Sequence, residues 1–133
     1  MIKSSLYAIS MTAAMLLTAC ASVQSQTTKV CYVPFNVDTF NATTPASIFE
    51  EDCRQIKNDD PIIDNLHKYI ADRSNVDVHQ PVFDSEVVRL GILEGDKPIY
   101  IDQNGVVLAG RRMYQLPKAT FVAVAKILDD YFK

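Results

Sequence analysis

The sequence predicts an α+β fold, a small two-layer domain in which a mainly antiparallel sheet of three to five strands carries helices on one face. Three observations support it. Period-two apolar runs fill residues 86–116 and are punctuated by Gly-containing turns. Three segments opening on proline space their apolar residues helically. The order strand, short helix, helix, meander, helix lacks the alternation that a parallel sheet needs. At 133 residues, 48% of them hydrophobic, the chain has room for one core, and it shows no internal repeat.

The first strand is expected within Lys29 to Val37, where Val30 and Tyr32 alternate with Cys31 and Val33. Pro34 cannot donate a ladder hydrogen bond, so this strand should lie at an edge or end near Pro34. Residues 38–44 read as a loop. Thr44-Pro45 then opens a predicted short helix, with Thr44 as N-cap and Ile48, Phe49, Cys53 and Ile56 on one face. Glu50, Glu51 and Asp52 read as its solvated side. Asp60-Pro61 repeats the capping logic for a stronger helix, Ile62 to about Arg73, whose stripe is Ile62, Ile63, Leu66, Tyr69 and Ile70.

From Glu86 the period changes to two. Val88, Leu90 and Ile92 alternate with Val87, Arg89 and Gly91, Glu94-Gly95-Asp96-Lys97 supplies turn chemistry, and Ile99-Tyr100-Ile101 resumes the strand pattern. Asn104-Gly105 is the pair a two-residue type I′ hairpin demands, flanked by Ile101 and Val106-Val107-Leu108. Asp102-Gln103-Asn104-Gly105 is not a calcium loop, because its glycine comes too early and no downstream acid closes it. Gly110 should end or bulge that strand, and Arg111 to Leu116 extend it as another. Pro117 opens the last helix, through Phe132. Phe121, Val124, Ala125, Leu128 and Phe132 line one face, widened by Val122 and Ile127, so it is expected to be the most deeply buried helix. Lys118 and Asp129-Asp130 oppose its dipole.

The first residues follow other rules. One cation, Lys3, precedes an apolar run from Leu6 to Leu17, too short for a permanent span but right for a signal-peptide core. Leu17-Thr18-Ala19-Cys20 follows. This resembles the lipobox of bacterial lipoprotein precursors, and the resemblance covers only the first twenty or so residues. It implies that residues 1–19 are a signal peptide and that Cys20 becomes the first mature residue, carrying a diacylglyceryl group on sulfur and an acyl chain on nitrogen. Ala21 in place of aspartate implies the periplasmic leaflet of the outer membrane. Residues 20–28 are small and polar and read as a tether, which leaves residues 29–133 as one globular domain.

Once Cys20 is given to lipid, Cys31 and Cys53 remain as an even pair in an oxidising compartment, and a disulfide between them is expected. The Asn41-Ala42-Thr43 sequon carries no weight in a bacterial chain.

The formal net charge of −3 argues against nucleic acid, which needs clustered cations. His67 and His79 stand apart without cysteine or carboxylate at ligand spacing, so no metal is expected and no cofactor. The motifs of nucleophile elbows, phosphate loops and zinc proteases are missing, and Ser74, Ser85 and His79 make no more than a set of residue types. The expected role is therefore non-enzymatic: an envelope lipoprotein held at the membrane through Cys20 and binding an envelope protein. Arg111, Arg112, Tyr114 and neighbouring Arg89 form the candidate partner surface for an anionic partner: an envelope protein, peptidoglycan carboxylates or lipid phosphate. Charge that blunts an edge strand is the plainer explanation of the same residues. An inhibitor of a hydrolase, using the loop at residues 38–44, and a structural subunit of an envelope machine are the alternatives.

Overall fold

The computed structural model describes residues 26–72 and 81–133. The signal peptide, Cys20 and most of the tether lie outside them, as do Arg73, Ser74 and His79. The elements are β1 (Thr27–Tyr32), a 3₁₀ turn (Ser47–Glu50), β2 (Cys53–Lys57), α1 (Pro61–Ile70), β3 (Val88–Glu94), β4 (Lys97–Asp102), β5 (Val106–Ala109), β6 (Arg112–Gln115) and α2 (Lys118–Tyr131). The strands form one sheet in the order β2-β1-β3-β4-β5-β6, and every neighbouring pair is antiparallel. The class is α+β as expected, but the strands number six rather than three to five.

The extra strand is β2. Residues 53–57 continue in extended form where the helical spacing of Ile48, Phe49, Cys53 and Ile56 predicted helix, so only Ser47–Glu50 turns helically. Thr44 and Ser47 exchange hydrogen bonds across the entry to that turn, although the cap position itself is Ala46. Cys53 faces Cys31 across the β1–β2 ladder and the two form a disulfide. β1 starts two residues inside the expected tether and ends two residues before Pro34, which accounts for that proline without placing β1 at an edge.

Both helices cover one face. Val30, Tyr32, Leu90, Ile92, Ile101 and Val107 from the sheet meet Ile62, Ile63, Leu66 and Ile70 from α1 and Val124 and Leu128 from α2. Asp60 caps α1 by accepting from the Ile62 N–H at 3.0 Å, and the helix stops at Ile70. α2 is not the more buried helix: Val122 is exposed, and Thr120, Val124 and Leu128 are its buried residues. Its C-terminal acids have a use, because the Tyr32 hydroxyl donates to Asp129 at 2.6 Å.

That bond carries a pH signature. Burial first, and the Asp129 carboxylate second, hold the Tyr32 phenol neutral far above its ordinary range. The unfolded phenol ionises near pH 10, so the stabilisation is complete below that pH and fades as pH rises beyond it. Tyr32→Phe is expected to cost about 1 kcal/mol at pH 8 and less at pH 10.5, read from urea titrations of both proteins. An equal gap at both pH values would refute the assignment.

Among the described residues the other face is covered only in part. One cross-strand row on it runs Cys53, Cys31, Gly91, Tyr100, Leu108, Met113. Over its first half sits the 3₁₀ turn, with Ile48 fully buried and the Phe49 ring 5.8 Å from that of Tyr100. Gly91 makes this seat possible: a Cβ there would stand 2.9 Å from Ile48 Cγ2 and 3.1 Å from the Phe49 ring.

Candidate functional site

The strand register gives the domain two unlike ends. Thr27 starts β1 beside the β3–β4 turn, since Lys29 faces Leu93 and Leu93 faces Pro98. This is the end at which the N-terminal chain arrives. β1 leaves the sheet at the opposite end, beside the β4–β5 turn and the start of β3, and enters a long connection that presents its centre to solvent.

That connection is fixed at both roots. The Phe35 ring lies 5.5 Å from Tyr32 and 4.6 Å from Phe121, and the Val33 N–H donates to Arg89 O at 2.8 Å. Thr43 closes the other root, donating to Glu86 O at 3.0 Å and accepting from the Val88 N–H at 2.9 Å. Between them residues 36–42 are exposed, and Phe40 is exposed in full at the tip. An apolar ring so placed adds nothing to the domain's own core.

Arg89 supports this loop from below. The ladder slips between Val88 and Leu90, and Arg89 falls in that irregularity with 2% of its surface exposed. Its guanidinium donates to Val37 O and Val88 O, each at 3.2 Å, while Nε has no partner among the described residues. Asp102, fully buried, braces the same end: Oδ2 accepts from Asp84 N–H and Oδ1 from Asn104 and Val106 N–H, all at 2.9 Å.

The predicted arginine surface is therefore not one site. Arg89 is interior at the loop end, whereas Arg111 and Arg112 are exposed at the β5–β6 turn, at the opposite end and the far edge. Tyr114 is half-buried, and its hydroxyl donates to Ile70 O at the end of α1 at 2.7 Å. Sequence reasoning named the loop but missed Phe40 as its leading residue; a lone aromatic between Thr39 and Asn41 was the available signal. His67 is not isolated either, since its Nε2 meets the Glu94 carboxylate on the exposed surface.

Beside the β3–β4 and β5–β6 turns lies a cleft of about 520 Å³, lined by residues that include Pro98, Ile99, Tyr100, Leu108 and Ala109. Burial pushes the Tyr100 phenol's pKa up. Among the described residues, no three His, Cys, Asp or Glu side chains gather as a metal-binding group, and no helix is long and apolar enough to cross a membrane.

Comparison with protein-family models, with curated proteins and with solved structures returns no match to this chain.

Proposed function

We propose that this protein is a lipid-anchored envelope lipoprotein that works without catalysis, holding a protein partner through the loop that carries Phe40. The observation that carries the reading is the placement of that ring: fully exposed on a connection fixed at both roots, at the end of the sheet away from the arriving chain. The lipobox-like Leu17-Thr18-Ala19-Cys20 and the disulfide support export to an oxidising compartment. Burying a phenylalanine on a partner is worth about 1.5–3 kcal/mol, and the fixed roots reduce the ordering cost of presenting it.

The same observation favours a second reading, in which the partner is an incoming hydrolase and the loop enters its cleft as an inhibitor. The two readings share the contact and differ in the identity of what is held.

Phe40→Ala is expected to leave stability within about 0.5 kcal/mol and to weaken partner binding about thirtyfold, as for a central aromatic contact. A photocrosslinker at position 38, in intact cells, should capture the partner, whereas one at exposed Lys126 on α2 should not. Equal capture from both positions, or capture unchanged by Phe40→Ala, would remove the loop from the function.

A further inference from the structure

We infer that the cleft end of the sheet is a membrane-docking surface, which rests an apolar corner and three flanking cations against an anionic bilayer. The inference rests on Cys20 being the acylated residue, and three observations direct it to lipid.

The first is where the chain arrives. Thr27 lies level with the β3–β4 turn, and β1 is next to β3 in the sheet. Six residues lie between Cys20 and Thr27, and the seven steps from one to the other reach at most about 25 Å at full extension. Neighbouring strands are about 4.8 Å apart, so β4 and β5 stand about 10–15 Å from the strand on which the tether ends. Acyl chains on Cys20 thus hold this end of the domain within a tether's length of the headgroups.

The second is the apolar corner. The row Tyr100, Leu108, Met113 continues past the cover of the 3₁₀ turn, with Met113 about half exposed, and the cleft opens beside it between Pro98 and Ala109. Its lining side chains are mainly apolar, which suits acyl-chain contact better than a sugar or a peptide backbone.

The third is charge. Arg111 is exposed in the β5–β6 turn, and Lys97 and Arg112 are exposed as the first residues of β4 and β6, on the helix-bearing side of the same sheet end, in a chain whose formal net charge is −3. The same end holds two acids, Asp96 on the rim and Glu94, which is engaged by His67. Asp59, Asp60 and Asp64 lie toward the opposite edge, around the start of α1 next to β2. Exposed Glu50 and Glu51 ride on the 3₁₀ turn beside Tyr100, so the cations are confined to the turn end of the cleft, where an anionic leaflet can meet them.

The chain contains no tryptophan, so one placed on the corner reports without interference. Full-length protein matured with its native anchor would be made as Met113→Trp and, to guard against misfolding at one site, as Leu108→Trp, with Lys126→Trp on α2 as comparator. On vesicles of phosphatidylglycerol and phosphatidylethanolamine containing brominated acyl chains, corner tryptophans are expected to be quenched by bromine and shielded from iodide. The comparator is expected to stay open to iodide. Arg111→Ala with Arg112→Ala should lower the docked population by about fivefold per cation removed, and uncharged phosphatidylcholine should do likewise. Corner and comparator equally open to iodide on vesicles would overturn docking. So would shielding that grows with protein concentration in detergent, which assigns the corner to a second copy. Mass spectrometry of the same preparation reports the acyl chains on Cys20, so failure of the anchor is read separately from failure of the surface.

Discussion

Replacing Cys31 and Cys53 together by alanine is expected to lower the unfolding free energy by about 3 kcal/mol, the loop-closure value for residues 22 apart in the chain. For a domain of this size that corresponds to a fall of about 10–20 °C in Tm. The location explains why so much rests on one bond. β2 is an edge strand of five residues paired on one side only, and the segment leading into it is the 3₁₀ turn that covers Gly91. Without the cross-link the edge is free to leave the sheet and carry that cover with it. Alanine at both positions, rather than serine, avoids placing a hydroxyl at Cys31, which is fully buried. Urea denaturation of the oxidised, reduced and double-alanine proteins provides the check. A midpoint unchanged by reduction would show that the bond contributes nothing to stability.

Asp102→Ala is the second large effect, expected at about 2–4 kcal/mol. The carboxylate answers three backbone N–H groups from two segments, and truncation leaves all three without it. Asp84 and Asn104 are exposed and can turn to water, but Val106 is buried and its donor is left unsatisfied, at about 1–3 kcal/mol. The charge-assisted character of the lost bonds supplies the rest. Asp102→Asn separates the parts. Its one oxygen can serve Asn104 and Val106, while its amide nitrogen then faces the Asp84 N–H, donor against donor. An intermediate loss is expected, and thermal melts of the three proteins would show it. Equal stability of all three would refute the role assigned to Asp102.

Much of the fold was legible. The Asp60-Pro61 cap, the α1 stripe, the alternation of β3 and β4 and the apolar face of α2 all emerged as local rules predict, because local preference and burial agree there. The misreadings occurred where they compete. Ile48, Phe49, Cys53 and Ile56 satisfy helical spacing over a window too short to exclude a strand, and the pairing of residues 53–57 with β1 decided the matter. Asn104-Gly105 predicted a two-residue loop. Asp102 instead draws in the N–H groups of Asn104 and Val106, so Ile101 faces Val107 and the loop takes three residues, with Gly105 at φ +83°. The two-residue loops occur at Gly95-Asp96 and Gly110-Arg111, each with its glycine near φ +60°.

The candidate site was less legible because it depends on a break in the pattern. Strict alternation places Arg89 on an outward face beside other cations. The ladder irregularity between Val88 and Leu90 instead brings it under the loop, where backbone carbonyls meet its charge. No residue type in the sequence announces such a slip. The separation of the Phe40 loop from Arg111 and Arg112 was equally hidden, because it depends on strand order.

The bare α-carbon at Gly91 also constrains descent. Any relative that gains a methyl group at this position must trim the residue equivalent to Ile48 or tilt the ring equivalent to Phe49, since the gap to be filled is already under 3 Å. Lineages should therefore trade bulk between 91 and 48 in matched steps, and a lone enlargement at 91 should surface only where the short turn above it has been rebuilt.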